Sequence, residues 1–305
     1  MEQIRTMAQL MAAAKQGEKK IVSVAVPEDD EVMEAVEAAR KEGIISAILV
    51  GNGEKIKTVA NKLGIDLSNY EVVDERGGNT AAALRAVEIV SSGNADIFMK
   101  GMLHSADYLR AVLNKEKGLR TGRVLSHAYI HEIEGYDRLF FVTDGVVNLY
   151  PDLKTKIDIV NNCADICHAF GLECPKVAIL GAVEVVNVAM PPTLDAAALA
   201  QMSNRKQFKG CIVDGPLALD NAVSEESAQH KGIVSPVAGK ADVLFVPNIE
   251  TGNILAKSMV YFARNKTAAL VLGAKAPVIL TSRADSAETK MYSIASACLV
   301  AQHKA

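Results

Sequence analysis

The sequence lacks the features of several protein classes. Its net charge of −3 provides no basic excess that would favour nucleic acid or an anionic membrane as a partner. Residues 1–20 show an amphipathic helical pattern but not the order of basic, apolar and small residues that is typical of a signal peptide. The most apolar later segment, residues 267–281, is interrupted by Lys275 and Pro277 and is too short to span a bilayer. We therefore expect a cytoplasmic protein that uses neither nucleic acid nor a membrane.

The five cysteines form neither a disulfide framework nor a metal-binding pattern. Their number is odd, and they are scattered through a chain of 305 residues. Cys163 and Cys167 lie one helical turn apart in IDIVNNCADICHAFG, and no second pair of matching spacing follows. We predict that both pack in the core, that Cys174, Cys211 and Cys298 do the same, and that the protein has no metal site.

Three familiar catalytic motifs are also missing. No GxGxxG follows an apolar run, no GxxxxGK[ST] loop is present, and there is no GxSxG turn. These absences disfavour a nicotinamide-dinucleotide site, a P-loop nucleotide site and a serine hydrolase. GNGEKIK, after AILVG, is too short for the dinucleotide motif, has the wrong spacing for the P-loop and is typical of a surface turn.

What the sequence does contain is a repeated alternation of apolar, β-rich runs with helical patterns. Strands that are apolar on both faces predict a parallel sheet covered by helices. Near residue 122 two longer runs, RVLSHAYIHEI and YDRLFFVTDG, predict an antiparallel pair, after which the alternation resumes. We predict two α/β domains, residues 1–122 plus 280–305 and residues 123–279, with the last helix returning to the first domain and VILTSRADS at the crossing between them.

Polar residues follow several of the predicted strands. The ligands of open parallel sheets bind beyond the carboxyl ends of the strands. Five such ends carry unusual groups: Lys100-Gly101, Asp144-Gly145, Asp214-Gly215, Pro247-Asn248 and Ser282-Arg283. We expect these ends to surround the active site, with Asp144 and Asp214 shaping it or holding loops rather than performing chemistry.

Ser282 and Arg283 are the most informative of these pairs. The arginine offers forked donors for an anion, the start of the following helix favours negative charge, and the serine can donate to a carbonyl oxygen or a sulfur. A structural interpretation stands beside this one, because Asp285 and Glu288 have the spacing of a capping box, and Ser286 can cap the helix instead. Capping and catalysis are compatible at this position.

Longer motifs resemble those of the phosphate acetyltransferase and phosphate butyryltransferase family. They are SPVAGKADVLFVPNIETGNILAKSM (235–259), GAKAPVILTSRADS (273–286), VDGPLALDNAV (213–223) and KGMLHSADYLRAVL (100–113). The chain looks more like the butyryl branch. The resemblance implies transfer of a short acyl group between coenzyme A and inorganic phosphate, and an isocitrate/isopropylmalate-dehydrogenase-like architecture with the active site in the cleft between two domains. It also implies a homodimer working beside an acyl kinase, with coenzyme A as a substrate and no bound cofactor.

The resemblance and the local patterns together suggest a set of site residues. Arg110 matches the family arginine near phosphate, although an ion pair with Asp107 is the alternative. Ser282, Arg283 and Arg110 are the predicted catalytic residues. The predicted substrate-binding residues are His104, Ser105, Gly252, Asn253, Lys275 and Ser286, of which Ser105, Asn253, Lys275 and Ser286 also have a purely structural interpretation. Asn253 is predicted to begin a helix over 253–264, whose start would receive a phosphate group or would simply be capped.

One position departs from the family. Six residues after the arginine, where the acetyltransferases have an aspartate proposed to take the thiol proton, this chain has Thr289. Either another base acts, or the thiol loses its proton to water or phosphate. Two other functions stay open: a decarboxylating dehydrogenase like isocitrate dehydrogenase, and a coenzyme A-binding module without catalysis.

Overall fold

The structure, a computed structural model, describes residues 2–304 and confirms the α/β class. The described chain divides into two compact units. The first unit comprises residues 7–123 and 268–304, and the second comprises residues 2–6 and 124–267. Each unit contains its own set of strands and helices.

The first unit is built on six strands in the order β3-β2-β1-β4-β11-β10. All neighbouring pairs are parallel except β10 and β11. Its elements are α1 (Met7–Gln16), β1 (Lys20–Ala25), α2 (Asp30–Lys41), β2 (Ile45–Gly51), α3 (Gly53–Leu63), β3 (Glu71–Asp74), α4 (Asn79–Ser91), β4 (Ile97–Lys100), α5 (Ser105–Val112), β10 (Lys266–Leu272), β11 (Val278–Ile279) and α11 (Ala287–Lys304). A 3-10 turn at Leu67–Asn69 precedes β3, and β10 begins two residues before the unit boundary.

The second unit contains five strands in the order β5-β6-β9-β7-β8. The first two are antiparallel, as predicted from the two long apolar runs, and the other pairs are parallel. Its elements are β5 (Ser126–Glu132), β6 (Leu139–Thr143), α6 (Leu153–Ala169), β7 (Lys176–Leu180), α7 (Pro191–Asn204), β8 (Ile212–Leu217), α8 (Leu219–Val223), α9 (Glu225–His230), β9 (Val243–Phe245) and α10 (Ile249–Tyr261).

The units differ from the predicted domains at the second crossing. Residues 268–279, which we assigned to the second domain, lie in the first unit. The reason is strand pairing: β11 pairs with β10 through Val271 and Val278, and it pairs with β4 in parallel. VILTSRADS therefore lies inside the first unit rather than at the crossing.

The cysteine prediction is confirmed except at one position. Cys163 and Cys167 are buried on α6, and Cys211 and Cys298 are also buried, but Cys174 is exposed. Cys174 lies in the loop between α6 and β7, where the turn brings it to the surface. No helix among residues 2–304 combines the length and apolarity needed to cross a bilayer.

Candidate active site

The carboxyl ends of three parallel strands meet at one edge of the first unit's sheet. Ala25, the last residue of β1, is in register with Lys100, the last residue of β4, and Met99 is in register with Ile279, the last residue of β11. The chain segments that follow these strands therefore emerge side by side. This is the position at which open parallel sheets bind ligands.

A narrow pocket lies at this edge. Its lining residues, all from the first unit, are Asp29, Val32, Lys100, Gly101, Met102, Thr281, Ser282, Arg283 and Lys290. Two of the five predicted strand ends, Lys100-Gly101 and Ser282-Arg283, thus share one pocket. The other three strand ends belong to the second unit.

Hydrogen bonds within the loop hold Ser282 in place. Its backbone N–H donates to Asp285 Oδ2 at 2.7 Å, and the N–H of Ala284 donates to its Oγ at 3.3 Å. The hydroxyl oxygen is thus an acceptor within the loop, which leaves its hydrogen to be donated to a ligand. Ser282 and Arg283 are both exposed, so both side chains can be reached from solvent.

Lys100 is the buried cation of the pocket. Only 4% of its surface is exposed, and its Nζ donates to the Gly101 carbonyl oxygen at 3.3 Å. Burial, with a smaller contribution from the positive charges of Arg283 and Lys290, lowers the pKa of Lys100 to about 8. We noted this residue at a strand end but assigned it no role.

Lys290 and Asp29 complete the ring of charges. Lys290, on the first turn of α11, is 1% exposed, and its Nζ donates to the carbonyl oxygen of Asp285. Asp29 caps α2, because its carboxylate accepts the N–H of Val32 at 3.1 Å. Three cations and the exposed Ser282 hydroxyl therefore face one small space. Such a set can bind an anion and stabilise negative charge that develops beside it.

Two of the predicted residues contact each other across this edge. The guanidinium of Arg283 lies 3.5 Å from Nδ1 of His104, which immediately precedes α5. The motif KGMLHSADYLRAVL and the motif VILTSRADS are therefore adjacent in space. The sequence does not reveal this contact, since the two residues are 179 positions apart.

Tyr108 fixes α5 against the two strands that carry the site. Its side chain is fully buried, its ring stacks on Phe98, and its hydroxyl lies 2.9 Å from Phe98 O and 3.0 Å from Ile279 O. The hydroxyl hydrogen is thus shared between a carbonyl of β4 and one of β11.

Tyr108→Phe is expected to lower the free energy of unfolding by about 1–3 kcal/mol, because buried carbonyl oxygens lose a donor. Urea denaturation of the purified protein measures this change. Tyr261→Phe is the matched control, since Tyr261 is 64% exposed. Equal stability of the two variants would contradict the role given to Tyr108.

Of the two interpretations of Arg110, phosphate binding and an ion pair with Asp107, the structure contains the ion pair. The Arg110 guanidinium forms an ion pair with Asp107 one turn earlier on α5, its side chain is 69% exposed, and it does not line the pocket. Ser105 is the first residue of α5, and Lys275 is exposed after β10. Neither of these two residues lines the pocket, so their binding roles stay predictions.

The start of α11 distinguishes the two proposed caps. Ser286 Oγ accepts the N–H of Thr289 at 3.2 Å and also contacts its hydroxyl, so Ser286 is the cap. Glu288 accepts from the hydroxyl of Tyr292 at 2.8 Å rather than reaching back, because residues four apart are neighbours on a helix. The capping box of Asp285 and Glu288 is therefore wrong, and Asp285 instead holds the Ser282 loop.

The predicted helix start at Asn253 is also wrong. The helix α10 begins at Ile249, because the side chain of Asn248 accepts the N–H of Thr251 at 2.9 Å and caps it. Asn253 lies one turn further along and donates to Gly145 O at 3.2 Å. Gly252 allows a close approach of the backbone, but the neighbouring group is protein rather than ligand. A Cβ at position 252 would lie 2.7 Å from the carbonyl oxygen of Asp144.

Asp144 holds the neighbouring loop, as predicted. Its carboxylate accepts the N–H groups of Val146 at 2.9 Å, Val147 at 3.0 Å and Asn148 at 3.2 Å. Among residues 2–304, no three His, Cys, Asp or Glu side chains are grouped so that they could hold a metal ion.

Comparison with known proteins identifies the family. The family model described as Phosphate acetyl/butaryl transferase matches residues 5–84 and 78–298. The chain belongs to this family. A phosphate butyryltransferase of Clostridium acetobutylicum is 54% identical over 301 residues, which cover 99% of this chain and 100% of the relative.

A more distant relative and a solved structure agree with this membership. A phosphate acetyltransferase of Thermotoga maritima is 45% identical over 282 residues, covering 92% of this chain and 94% of that protein. The crystal structure of a branched-chain phosphotransacylase from Enterococcus faecalis is 33% identical, covers 93% of this chain and 99% of its own, and has a TM-score of 0.83. The family resemblance stated from the motifs is thereby confirmed.

Proposed function

We propose that this protein is a phosphate acyltransferase that moves a short-chain acyl group, butyryl or a similar one, between coenzyme A and inorganic phosphate. The products are an acyl phosphate and free coenzyme A. The observation that carries the proposal is the 54% identity with a phosphate butyryltransferase over 99% of the chain. The ring of cations beside an exposed serine supports it chemically, because the reaction needs an anion site and polarisation of a carbonyl.

Within this reaction we assign roles to Ser282 and Arg283 because they line the pocket, and the other predicted residues keep the roles proposed from the sequence. Arg283 binds phosphate through its forked donors, and Ser282 donates a hydrogen bond to the acyl carbonyl or to sulfur. Arg110 assists at the phosphate once its side chain leaves Asp107. His104, Ser105, Gly252, Asn253, Lys275 and Ser286 stay assigned to substrate contacts.

One assay separates this function from the alternatives. Acetyl-, butyryl- and isobutyryl-coenzyme A are incubated with and without phosphate, and free thiol is followed. We expect phosphate-dependent thiol release, fastest with a four-carbon acyl group. Release coupled to nicotinamide reduction would favour a dehydrogenase, and the absence of release would favour a binding module.

We further expect the activity to need no metal and no bound cofactor. The charge of phosphate is met by the guanidinium of Arg283 and by the buried side chain of Lys290. Exhaustive treatment with a chelator should therefore leave the rate of thiol release within about twofold of its initial value. A loss that a divalent ion restores would overturn this expectation.

The assembly and cellular setting belong to the same proposal. We infer a homodimer in the cytoplasm, functioning in butyrate metabolism beside an acyl kinase that uses the acyl phosphate. We also propose the isocitrate/isopropylmalate-dehydrogenase-like architecture with two domains. The proposed bounds are residues 1–122 plus 280–305 and residues 123–279, except that the pairing of β11 with β10 and β4 supports placing residues 268–279 in the first domain. Sedimentation of the purified protein tests the dimer.

A further inference from the structure

The reaction of a thiol with an acyl phosphate requires a group that handles the thiol proton. Thr289, on the first turn of α11, carries a hydroxyl, which is no base near neutral pH. Glu288 is exposed and is held by Tyr292, while Asp285 is held by the N–H of Ser282. The pocket nevertheless contains another titratable side chain, Lys100.

We propose that Lys100 is the proton carrier of the reaction: its amine takes the proton of the coenzyme A thiol and returns it to the departing phosphate. This inference rests on the proposed function. It deepens that function by naming the group that handles the thiol proton. The role is catalytic, since it requires the Lys100 amine to contact the reacting atoms.

The geometry places Lys100 where such a carrier is needed. It ends β4, it lines the same pocket as Ser282 and Arg283, and it is 4% exposed. Its recorded side-chain hydrogen bond is a long one, to Gly101 O at 3.3 Å. Within residues 2–304, no carboxylate lies at ion-pair distance from its Nζ. Burying a lysine without an ion-pair partner destabilises the folded state, so its presence in a pocket indicates a functional role.

The charges around Lys100 favour the neutral amine. Arg283 from the loop after β11 and Lys290 from α11 oppose its protonation, while Asp29 before α2 and Asp285 before α11 favour it less strongly. Burial is the largest influence, and together these groups bring the pKa of Lys100 to about 8. A thiol has an ordinary pKa of about 8.5, so the two groups are matched for proton transfer near neutral pH.

The proposed step forms one bond, breaks one bond and returns the proton to phosphate. The neutral amine of Lys100 accepts the thiol proton, and the thiolate sulfur attacks the carbonyl carbon of the acyl phosphate. A carbon–sulfur bond forms, the bond from carbon to the phosphate oxygen breaks, and the phosphate leaves with that electron pair. The leaving phosphate then takes the proton from the Lys100 ammonium, which restores the amine. Formation of acyl phosphate follows the same steps in reverse.

Two variants test the step in the purified full-length protein, assayed with butyryl phosphate and coenzyme A. Lys100→Met removes the base, and Lys100→Arg keeps the positive charge but cannot give up a proton near neutral pH. At pH 7 we expect both variants to lose at least about 100-fold in kcat, the usual contribution of general acid–base catalysis. Lys57→Met, at an exposed lysine of α3, is the matched control and should keep its rate.

The pH profile separates proton transfer from a purely structural or electrostatic role. Above about pH 8.5 the thiol ionises by itself, so the deficit of the variants relative to the unaltered protein should shrink as pH rises. A deficit that is constant with pH, or a Lys100→Arg variant that keeps most of its rate, would overturn the proposal. If Lys100→Met does not fold, the rate and pH profile of Lys100→Arg still test the proposal.

A wrong function and a wrong role for Lys100 would give different results. If the unaltered protein shows no phosphate-dependent transfer, the proposed function is wrong, and the role of Lys100 is lost with it. If the unaltered protein is active and both Lys100 variants stay within about threefold of it, only the role of Lys100 is wrong.

Discussion

Arg283→Ala is expected to lower kcat/KM for phosphate by roughly 10²–10³-fold, or about 3–4 kcal/mol. Removing one donor aimed at developing charge in an enzyme site has an effect of this size. The side chain is exposed at the pocket and contacts His104 at 3.5 Å, so its removal changes little of the packed interior. The affinity for coenzyme A should change much less than the use of phosphate.

Arg283→Lys should restore only a small part of the loss. Lysine returns the positive charge, but it lacks the forked donors that match two phosphate oxygens. Steady-state kinetics with phosphate varied at saturating butyryl-coenzyme A measure the effect. Arg76→Ala, at an exposed arginine paired with Asp74, is the control and should be near normal. A normal rate at low phosphate for Arg283→Ala would remove this residue from the anion site.

Ser282→Ala is expected to reduce kcat by roughly 10²-fold, whereas Thr289→Ala and Glu288→Gln should each cost less than about tenfold. The Ser282 oxygen accepts the N–H of Ala284, so its hydrogen is available to the acyl carbonyl or to sulfur. Thr289 and Glu288 are instead engaged with Ser286 and Tyr292 on α11. Rate measurements at saturating substrates distinguish the three variants.

The contrast among these variants also tests the assignment of the base. A collapse of the rate in Glu288→Gln, with folding and phosphate binding intact, would make that glutamate the base and would contradict the role given to Lys100. A Ser282→Ala variant with nearly normal kcat would limit the serine to holding its loop through Asp285.

The sequence predicted those parts of the fold that local patterns determine. The alternation of strands and helices, the antiparallel pair β5 and β6 and the buried stripe of α6 follow from periodicity, and the structure confirms them. The domain assignment of residues 268–279 depended on which strands pair. That choice is made by contacts between β11 and β4, which are far apart in sequence.

Polar residues at strand ends can be recognised in the sequence, whereas charged pocket residues whose properties depend on burial cannot. Ser282 and Arg283 stand out because they end an apolar run. Lys100 ends such a run too, but its pKa near 8 depends on burial and on charges from elements up to 190 residues away. Lys290 resembles an ordinary helix lysine in the sequence, and only its position on the first turn of α11 buries it.

Helix starts were the least reliable part of the site prediction. A capping residue is recognised by its spacing from the first turn, and several polar residues near α10 and α11 have suitable spacings. The side chain of Asn248, rather than Asn253, caps α10, and Ser286, rather than Asp285, caps α11. In both cases the competing residue makes a different hydrogen bond, which the sequence does not reveal.

The most direct test of the phosphate acyltransferase assignment is the stoichiometry of products from butyryl-coenzyme A and inorganic phosphate. Free thiol and acyl phosphate are measured in the same reaction, the latter by trapping with hydroxylamine or by phosphorus NMR. We predict one acyl phosphate for each thiol released, and no thiol when phosphate is omitted. Thiol released without acyl phosphate, or at the same rate without phosphate, would mean that water rather than phosphate accepts the acyl group and would contradict the assignment.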